Sequence, residues 1–439
     1  MRLMLRSIGF LVICLLAISA AAQTPDLTGN WHVTIMHFGR AEYARLTLKA
    51  SEGRWTGEMF GDVFTVSLNG TITLSGAAVE VKCQGKDPKG KDCGLLTGRL
   101  SEGAISATGK LYDEESSWTA QRAVLQRSAA RHEFVPKVYY NEFSGLIEPA
   151  LTIKPGETVH TTTVDAGGVD ADGKHVAAGG NPLSGPFYIE GAWPGDTLVI
   201  KLNRVRLTRD SAGIYSNSVV LSALDPYYAR DQKKVEDFDS TWKLDRVNGI
   251  AVLTKPTDRL KDFQIKLAPM MGCIGVAPPG KQSFRSGRLG EFGGNMDYNQ
   301  IREGTTLYLP VFQPGALLFV GDGHAAQGDG ELTGNALETS MEVEFSVDLI
   351  EGQDLGQPRA ENDDTMMVMG IDNSLEEALR SATTGMSQWL ESTYKLNAAE
   401  IAMVLGSSMR YDIAEVVDPQ VHVVAKLSKS VLQKIAQPR

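Results

Sequence analysis

Before Ser374, almost no stretch of this chain repeats its apolar residues at a helical spacing. Apolar and polar residues alternate instead in short runs broken by glycine-rich turns, and a period of two sends successive side chains to opposite faces of a strand. That pattern confines most of the chain to antiparallel β structure. From Leu27 to Arg122 the runs ARLTLKA, FTVSLNGTITLSG, GLLTGRL, AISATGKL and SWTAQR are separated by turn signals roughly every ten residues, which predicts a small antiparallel barrel or sandwich. From Val138 to about Gly352 lie further strands, among them GPFYIEGA, DTLVIKLNRVRL and FQIKLAPM. Helical spacing follows only later. Ser374 and Glu377 form a capping pair, and Leu375, Ala378, Leu379, Ala382, Met386, Trp389 and Leu390 form an amphipathic stripe. Asn397 starts a second helix through Leu405, and Gln420 to Leu427 reads as an edge or pairing strand.

The expected fold is therefore mainly β. It comprises a sandwich- or barrel-like main domain over 138–430, with a short α-helical C-terminal segment, and a small antiparallel β-barrel-like domain over 26–123. A linker is expected over 124–137. Gly29-Asn-Trp31 and Trp118 to Arg122 resemble the pair of segments that closes a lipocalin-like barrel. His32 and His37, near its first strand, carry no evident chemistry.

Arg2 and Arg6 precede an apolar run from Ile8 to Ile18 and the small residues Ser19 to Ala22, the arrangement of a secretory signal peptide over 1–22. The run is too short for a membrane span. The expected location is secreted or periplasmic, with no membrane association after cleavage. Removing the leader takes the net charge from −10 to −12, since two arginines leave and no acid does. Such a balance argues against nucleic acid and anionic membrane as partners. Of four cysteines, Cys14 leaves with the leader. Cys83 and Cys93 flank a polar loop between two strand-like runs, and in an oxidising compartment a disulfide is expected to close that hairpin. Cys273 lies in the apolar run Pro269 to Val276 and reads as an inert small hydrophobe rather than a nucleophile.

Chemistry concentrates at Gly321 to Glu331, GDGHAAQGDGE, directly after the apolar run Gly315 to Val320. Asp322, Asp329 and Glu331 repel one another and are costly to bury together unless a cation or protons offset them. His324 and Gln327 lie among them. This is the pattern of a metal or catalytic loop at the end of a strand.

The segments NPLSGPFYIEGAWPGDTL at 181–198, PMMGCIGVAP at 269–278, GGNMD at 293–297, GDGHAAQGDGE at 321–331, ALETSME from Ala336 and the later RAENDDTMMVMGID occur in the order in which they resemble the acetamidase/formamidase family. The resemblance covers roughly 139–430 in several motifs, which makes it far more specific than one lone motif. The signal peptide and the small β domain lie outside the usual family pattern. The resemblance implies hydrolysis of small linear amides to a carboxylate and ammonia, a divalent metal at the site, and a homodimer or higher homo-oligomer. The matching residues are Asp165, Asp297, Asp322, His324, Gln327, Asp329, Glu331 and Glu338.

Amide hydrolysis near neutral pH needs an activated water, a Lewis acid or oxyanion donor, and a proton for the departing ammonia. His324, Asp322, Asp297 and Glu338 are the expected metal ligands, zinc being the first choice and calcium a possible second ion. Glu331 or Asp165 is expected to act as the base, with Gln327 also in a catalytic role; Asn295, Gly294 and Asp329 are expected to bind substrate. His160 and His175 are reserve ligands, whereas Glu190 and Asp196 look like turn and edge residues. Duller roles stay open. Asp322 and Asp329 suit turns, Asp297 follows a glycine turn, and Glu338 could face solvent from its strand. No Gly-x-Ser-x-Gly element is present. An exported binding or scaffold protein on the same fold, and a hydrolase of cyclic amides, are the alternative functions.

Overall fold

The structure is a computed structural model that describes residues 26–435, except 52–53, 64–65, 76–77, 85–93, 102, 112–113, 232–237 and 281. The leader over 1–22 and Cys93 of the expected Cys83–Cys93 pair lie outside the described residues.

Eight successive antiparallel strands, from Gly29–His37 to Glu114–Arg122, close into a barrel as the first strand pairs with both the second and the eighth. The closing ladder runs from Trp31 opposite Arg122 to His37 opposite Ser116, so the two segments singled out in the sequence do meet. Inward positions of the first strand, Trp31, Val33 and Ile35, are buried with Leu46, Leu48, Ile105, Trp118 and Ala120. This is period-two alternation filling a small barrel with side chains.

The main domain is built on two large sheets of 11 and 9 strands that enclose one apolar core. In the first sheet, Leu318–His324 lies between Met270–Gly275 and the short strand Glu338–Thr339 and also pairs with Leu183–Ile189. The second is centred on the long antiparallel pair Thr197–Leu207 and Met341–Ile350. The stretch expected as a linker is partly structured, because Arg131–Glu133 adds to the edge of this sheet beside Thr158–Thr162. The helix Leu375–Tyr394 packs Ala382, Met386 and Leu390 against Met366, Val368 and Leu427 of the same sheet. Ser374 caps it as expected, accepting from the Glu377 amide at 3.2 Å, but Leu375 and Leu379 stay about two-fifths exposed, at 43% and 42%. The apolar stripe is thus narrower than its sequence suggests. The helix Ala398–Ser408 begins at an Asn397–Glu400 capping box. The final strand, Val421–Ser428, is no edge; it pairs on both sides, with Thr365–Asp372 and Arg410–Glu415.

One loop joins the two domains. Trp193 stacks flat on His32 of the barrel, with ring centroids 4.5 Å apart, and its indole N–H donates to the Ala44 carbonyl at 3.0 Å. Asp196 is fully buried, pairs with Arg45 of the barrel, and accepts from the Trp193 and Gly352 amides. Asp196 therefore fixes the interface rather than an edge, and His32 is a docking surface for Trp193.

Candidate metal and catalytic site

His324 and Glu338 face each other directly across the ladder between Leu318–His324 and Glu338–Thr339, which sends both side chains to one face. Asp322 precedes His324 by two residues on the same strand. Asp297 arrives from the turn after Gly293–Asn295, where the Met296 and Asp297 amides both bond to the Gly272 carbonyl at 2.9 and 3.2 Å. Four ligand side chains from three stretches of chain thus meet at one point. His324 Nε2 lies 3.3 Å from Asp322 Oδ2, 3.3 Å from Glu338 Oε1 and 3.8 Å from Asp297 Oδ1. All four residues are buried.

Gly272 forms the floor. A Cβ there would sit 2.2 Å from Asp297 Oδ1, 2.6 Å from Asp322 Oδ2 and 3.1 Å from His324 Cε1, so no other residue leaves the cluster its space. Asp297, Asp322 and Glu331 hold positive φ values of 40°, 57° and 48°, a left-handed backbone that costs a non-glycine residue roughly 1–3 kcal/mol. Strain of that kind gathers where a site demands a given geometry.

Gln327 determines which way the imidazole faces. Its amide N–H groups donate to the carbonyls of Asp297 and Ala414, which leaves Oε1 to accept from His324 Nδ1 at 2.9 Å. His324 Nδ1 thus carries a proton and Nε2 points at the carboxylates. Gln327 touches the site through His324, whose ring it positions. Buried Asp297 Oδ1, Asp322 Oδ1, His324 Nε2 and Glu338 Oε2 have no hydrogen-bond partner. Buried polar atoms are nearly always satisfied, and four neighbouring side chains that each leave one orphaned fit a cation. Asp297, Asp322 and His324 form one set with metal-ligand spacing, and His324, Glu331 and Glu338 form another.

Without a cation, the cluster can hold together only by keeping protons. Burial, then the neighbouring acids, pushes Asp297 and Glu331 well above the usual carboxylate range. Burial lifts Glu338 to about 7 despite His324. Burial by itself would lower His324, but Glu338 and Asp322 carry it well above its ordinary value.

Asp322, Glu331, Glu338 and Asn295 line a cavity of about 960 Å³. Asp418 lines it too, and the sequence reading missed this residue. Asn295 Nδ2 donates to Asp418 Oδ2 at 2.8 Å and to Asp297 Oδ2, while Asn295 Oδ1 accepts from Asn181 at 2.9 Å. Burial raises Asp418 to about 7, and Asp322 adds to the shift. Glu415, also unforeseen, is fully buried beneath it, accepts from the Val417 and Asp418 amides, and is raised by burial and Asp418 to about 8. The C-terminal strand holds the glycine-rich loop in place, since Gly330 donates to Ile413 and Val416 donates to Gly330.

Other expected site residues lie elsewhere. Asp165 is no free base. One of its oxygens pairs with Arg209 at 2.5 Å and the other accepts from the Val169 amide at 2.8 Å, closing a loop. Asp329 is exposed and held by Asn299 at 2.8 Å, in the turn its Asp-Gly sequence favours. Gly294, at φ 99°, is required by the sheet, because a Cβ there would meet the Arg288 carbonyl at 2.2 Å. His160 pairs with Glu133 and Glu342, and His175 bonds the Gly167 carbonyl. Cys273 is buried, its thiol donates to the Ser286 carbonyl at 3.3 Å, and burial raises it well above the usual thiol range. That environment makes it inert.

A sequence profile of the Acetamidase/Formamidase family matches residues 127–286 and 280–369, together more than half of the chain. The chain is 27% identical over 285 residues to an acetamidase of Mycolicibacterium smegmatis, covering 52% of this chain and 70% of that one. It is 27% identical over 217 residues to a formamidase of Methylophilus methylotrophus, covering 38% and 51%. It thus spans about half the length of that formamidase. A crystal structure of a predicted acetamidase/formamidase from Thermoanaerobacter tengcongensis superposes with a TM-score of 0.61 at 25% identity, over 70% of this chain and 99% of that one. The matched stretch contains the cluster of Asp297, Asp322, His324 and Glu338, and on these grounds the chain belongs to the acetamidase/formamidase family.

Proposed function

We propose that this protein hydrolyses the C–N bond of small amides, releasing a carboxylate and ammonia, with His324, Asp322, Asp297 and Glu338 holding a divalent cation at the cavity floor. The observation that carries the reading is the convergence of four buried ligand side chains there, each with a buried polar atom that has no hydrogen-bond partner. The acetamidase and formamidase relatives favour formamide- and acetamide-type substrates. Zinc suits a site centred on one imidazole among carboxylates, whereas calcium prefers six to eight oxygens. The two ligand sets share His324, and one ring nitrogen serves one ion. A second ion, such as calcium, would rest on carboxylates alone.

Bound there, the cation would act as a Lewis acid toward the amide carbonyl and would ease deprotonation of water. The protein's own groups do the rest. Glu331 reaches the cavity, and as its carboxylate it takes a proton from the attacking water and returns it to the departing nitrogen. Gln327 holds the imidazole in one tautomer. Asn295 spaces Asp297 from Asp418 and borders the cavity where an amide would enter.

The test is ammonia release from formamide and acetamide by purified protein, before and after chelation, alongside elemental analysis. Release that disappears with the metal and returns on zinc addition supports the reading. No release from either amide by protein carrying a full equivalent of metal overturns it. The cavity, near the upper end of the roughly 300–1,000 Å³ that drug-sized ligands occupy, favours a second reading in which a larger or cyclic amide is the substrate. A lactam panel in the same assay distinguishes the two.

We further infer export, a Cys83–Cys93 disulfide and assembly as a homodimer or larger. The basic, apolar and small-residue order of residues 1–22 supports export. A mature N-terminus at Gln23, a non-reduced peptide containing both cysteines, and a mass from light scattering above that of one chain are the expected results.

A further inference from the structure

Away from the catalytic cavity, a second pocket of about 290 Å³ lies between the nine-stranded sheet and the helix Leu375–Tyr394. We propose that it binds a small organic monocarboxylate, which Arg359 recognises through its guanidinium. Arg359 stands on the strand Arg359–Glu361, opposite Tyr308 on one side and Val368 on the other, and is only 4% exposed. No carboxylate pairs with it among the described residues, and its Nε is buried without an acceptor. Burial, the sole cause of its shift, lowers it to about 10. A guanidinium this deeply buried without a counter-charge is rare, because desolvation is repaid only by a partner anion.

The surroundings define that anion. Glu361, two residues along the same strand, cannot neutralise the cation, because Tyr308 donates to one of its oxygens at 2.6 Å and Lys429 pairs with the other at 2.8 Å. The Arg359 guanidinium lies over the Trp389 ring, 5.1 Å from its centroid, a cation–π contact that leaves its N–H groups free to donate to a ligand. Ile350, Leu355 and Met366 supply apolar wall. One positive group in an apolar pocket that already contains an acid suits a singly charged carboxylate with a hydrocarbon or aryl body. A phosphate dianion would need further cations.

The experiment uses full-length mature protein with 4-bromobenzoate as probe. Crystals soaked with it are expected to show bromine anomalous density beside Ile350, Leu355 and Met366, with the carboxylate on Arg359. In titration calorimetry Arg359→Met is expected to weaken benzoate at least tenfold, while Glu331→Gln in the catalytic cavity leaves that affinity unchanged. Bromine found only in the catalytic cavity or nowhere, equal affinity in Arg359→Met, or a side-chain carboxylate of a second copy seated on Arg359 would each overturn the proposal. The soak uses the unaltered chain, so it decides the matter even if Arg359→Met fails to fold. The ammonia-release assay is a separate readout, so the amidase reading stands or falls independently.

Discussion

Gly272→Ala is the smallest change that challenges the metal centre without touching a ligand. The added methyl would lie 2.2 Å from Asp297 Oδ1 and 2.6 Å from Asp322 Oδ2, whereas ordinary contact begins at 3.4 Å. Relief therefore requires one oxygen to retreat by about 1.2 Å and the other by about 0.8 Å, several times the ~0.2 Å tolerance of metal–ligand bonds. The backbone gives little, since Gly272 accepts from both Met296 and Asp297 and lies inside a buried strand. Overpacking costs about 1–3 kcal/mol, so the variant should fold with a lower melting temperature. Disturbing only the groups that orient ligands typically costs 10- to 100-fold in affinity, so displacing two ligand oxygens should cost at least about 100-fold. Metal stoichiometry by mass spectrometry, a competition titration with a chromogenic chelator and kcat/KM for formamide would measure this. Wild-type metal affinity in a folded Gly272→Ala protein would refute the reasoning, because it would mean the cation does not sit above that floor.

Further outcomes follow from the same geometry. Glu331→Gln should keep its metal and lose kcat by roughly 10²–10⁴, the usual contribution of a general acid–base group; unchanged kcat would remove Glu331 from the chemistry. Gln327→Leu frees the imidazole to rotate and should weaken metal binding by about 10- to 100-fold without removing it, as read by the same competition titration. Asp196→Ala removes the carboxylate partner of Arg45 and the acceptor of two amides at the domain interface and should cost roughly 2–4 kcal/mol in chemical denaturation; a loss below about 1 kcal/mol would mean the barrel is only loosely attached. In chelated protein, burial raises Glu338 and Asp418 to about 7 and Glu415 to about 8, above their ordinary values of 4.5, 3.8 and 4.5. The folded chain then holds protons that the unfolded chain has released, so stability is fullest below about pH 4 and falls as pH rises toward 8. Metal-loaded protein should show the opposite trend, because protons compete with the cation; melting curves from pH 5 to 8 with and without chelator check the sign.

Much of the architecture was legible because alternation is a local property. The barrel, the apolar strand entering the glycine-rich run and the capped helices follow from neighbouring residues, although that strand continues through His324, where a loop was expected. Context set the rest. Gln420 to Leu427 alternates as either an edge or a pairing strand would, and it pairs on both sides because the Thr365–Asp372 and Arg410–Glu415 segments fold back against it. Asp322, His324, Glu331, Glu338 and Asp297 were picked out as a group, and the ladders bring them together. Asp165 stood close to a matching motif, but the Arg209 that occupies it comes from the bend between Thr197–Leu207 and Ser211–Gly213, with no sequence signal linking the two. Asp418 and Glu415 were missed because Val416-Val-Asp-Pro reads as a plain turn; the bridge between Gly330 and Glu415 and the Asn295–Asp418 hydrogen bond, both long-range, bring this turn to the cavity.

The most direct measurement is anomalous diffraction from crystals of the purified protein, collected above and below the zinc absorption edge. The account expects one peak within coordination distance of His324 Nε2, Asp322, Asp297 and Glu338, and loss of ammonia release when that peak is stripped. A peak-free site with these carboxyls hydrogen-bonded to one another, in protein that still cleaves amides after chelation, would contradict it.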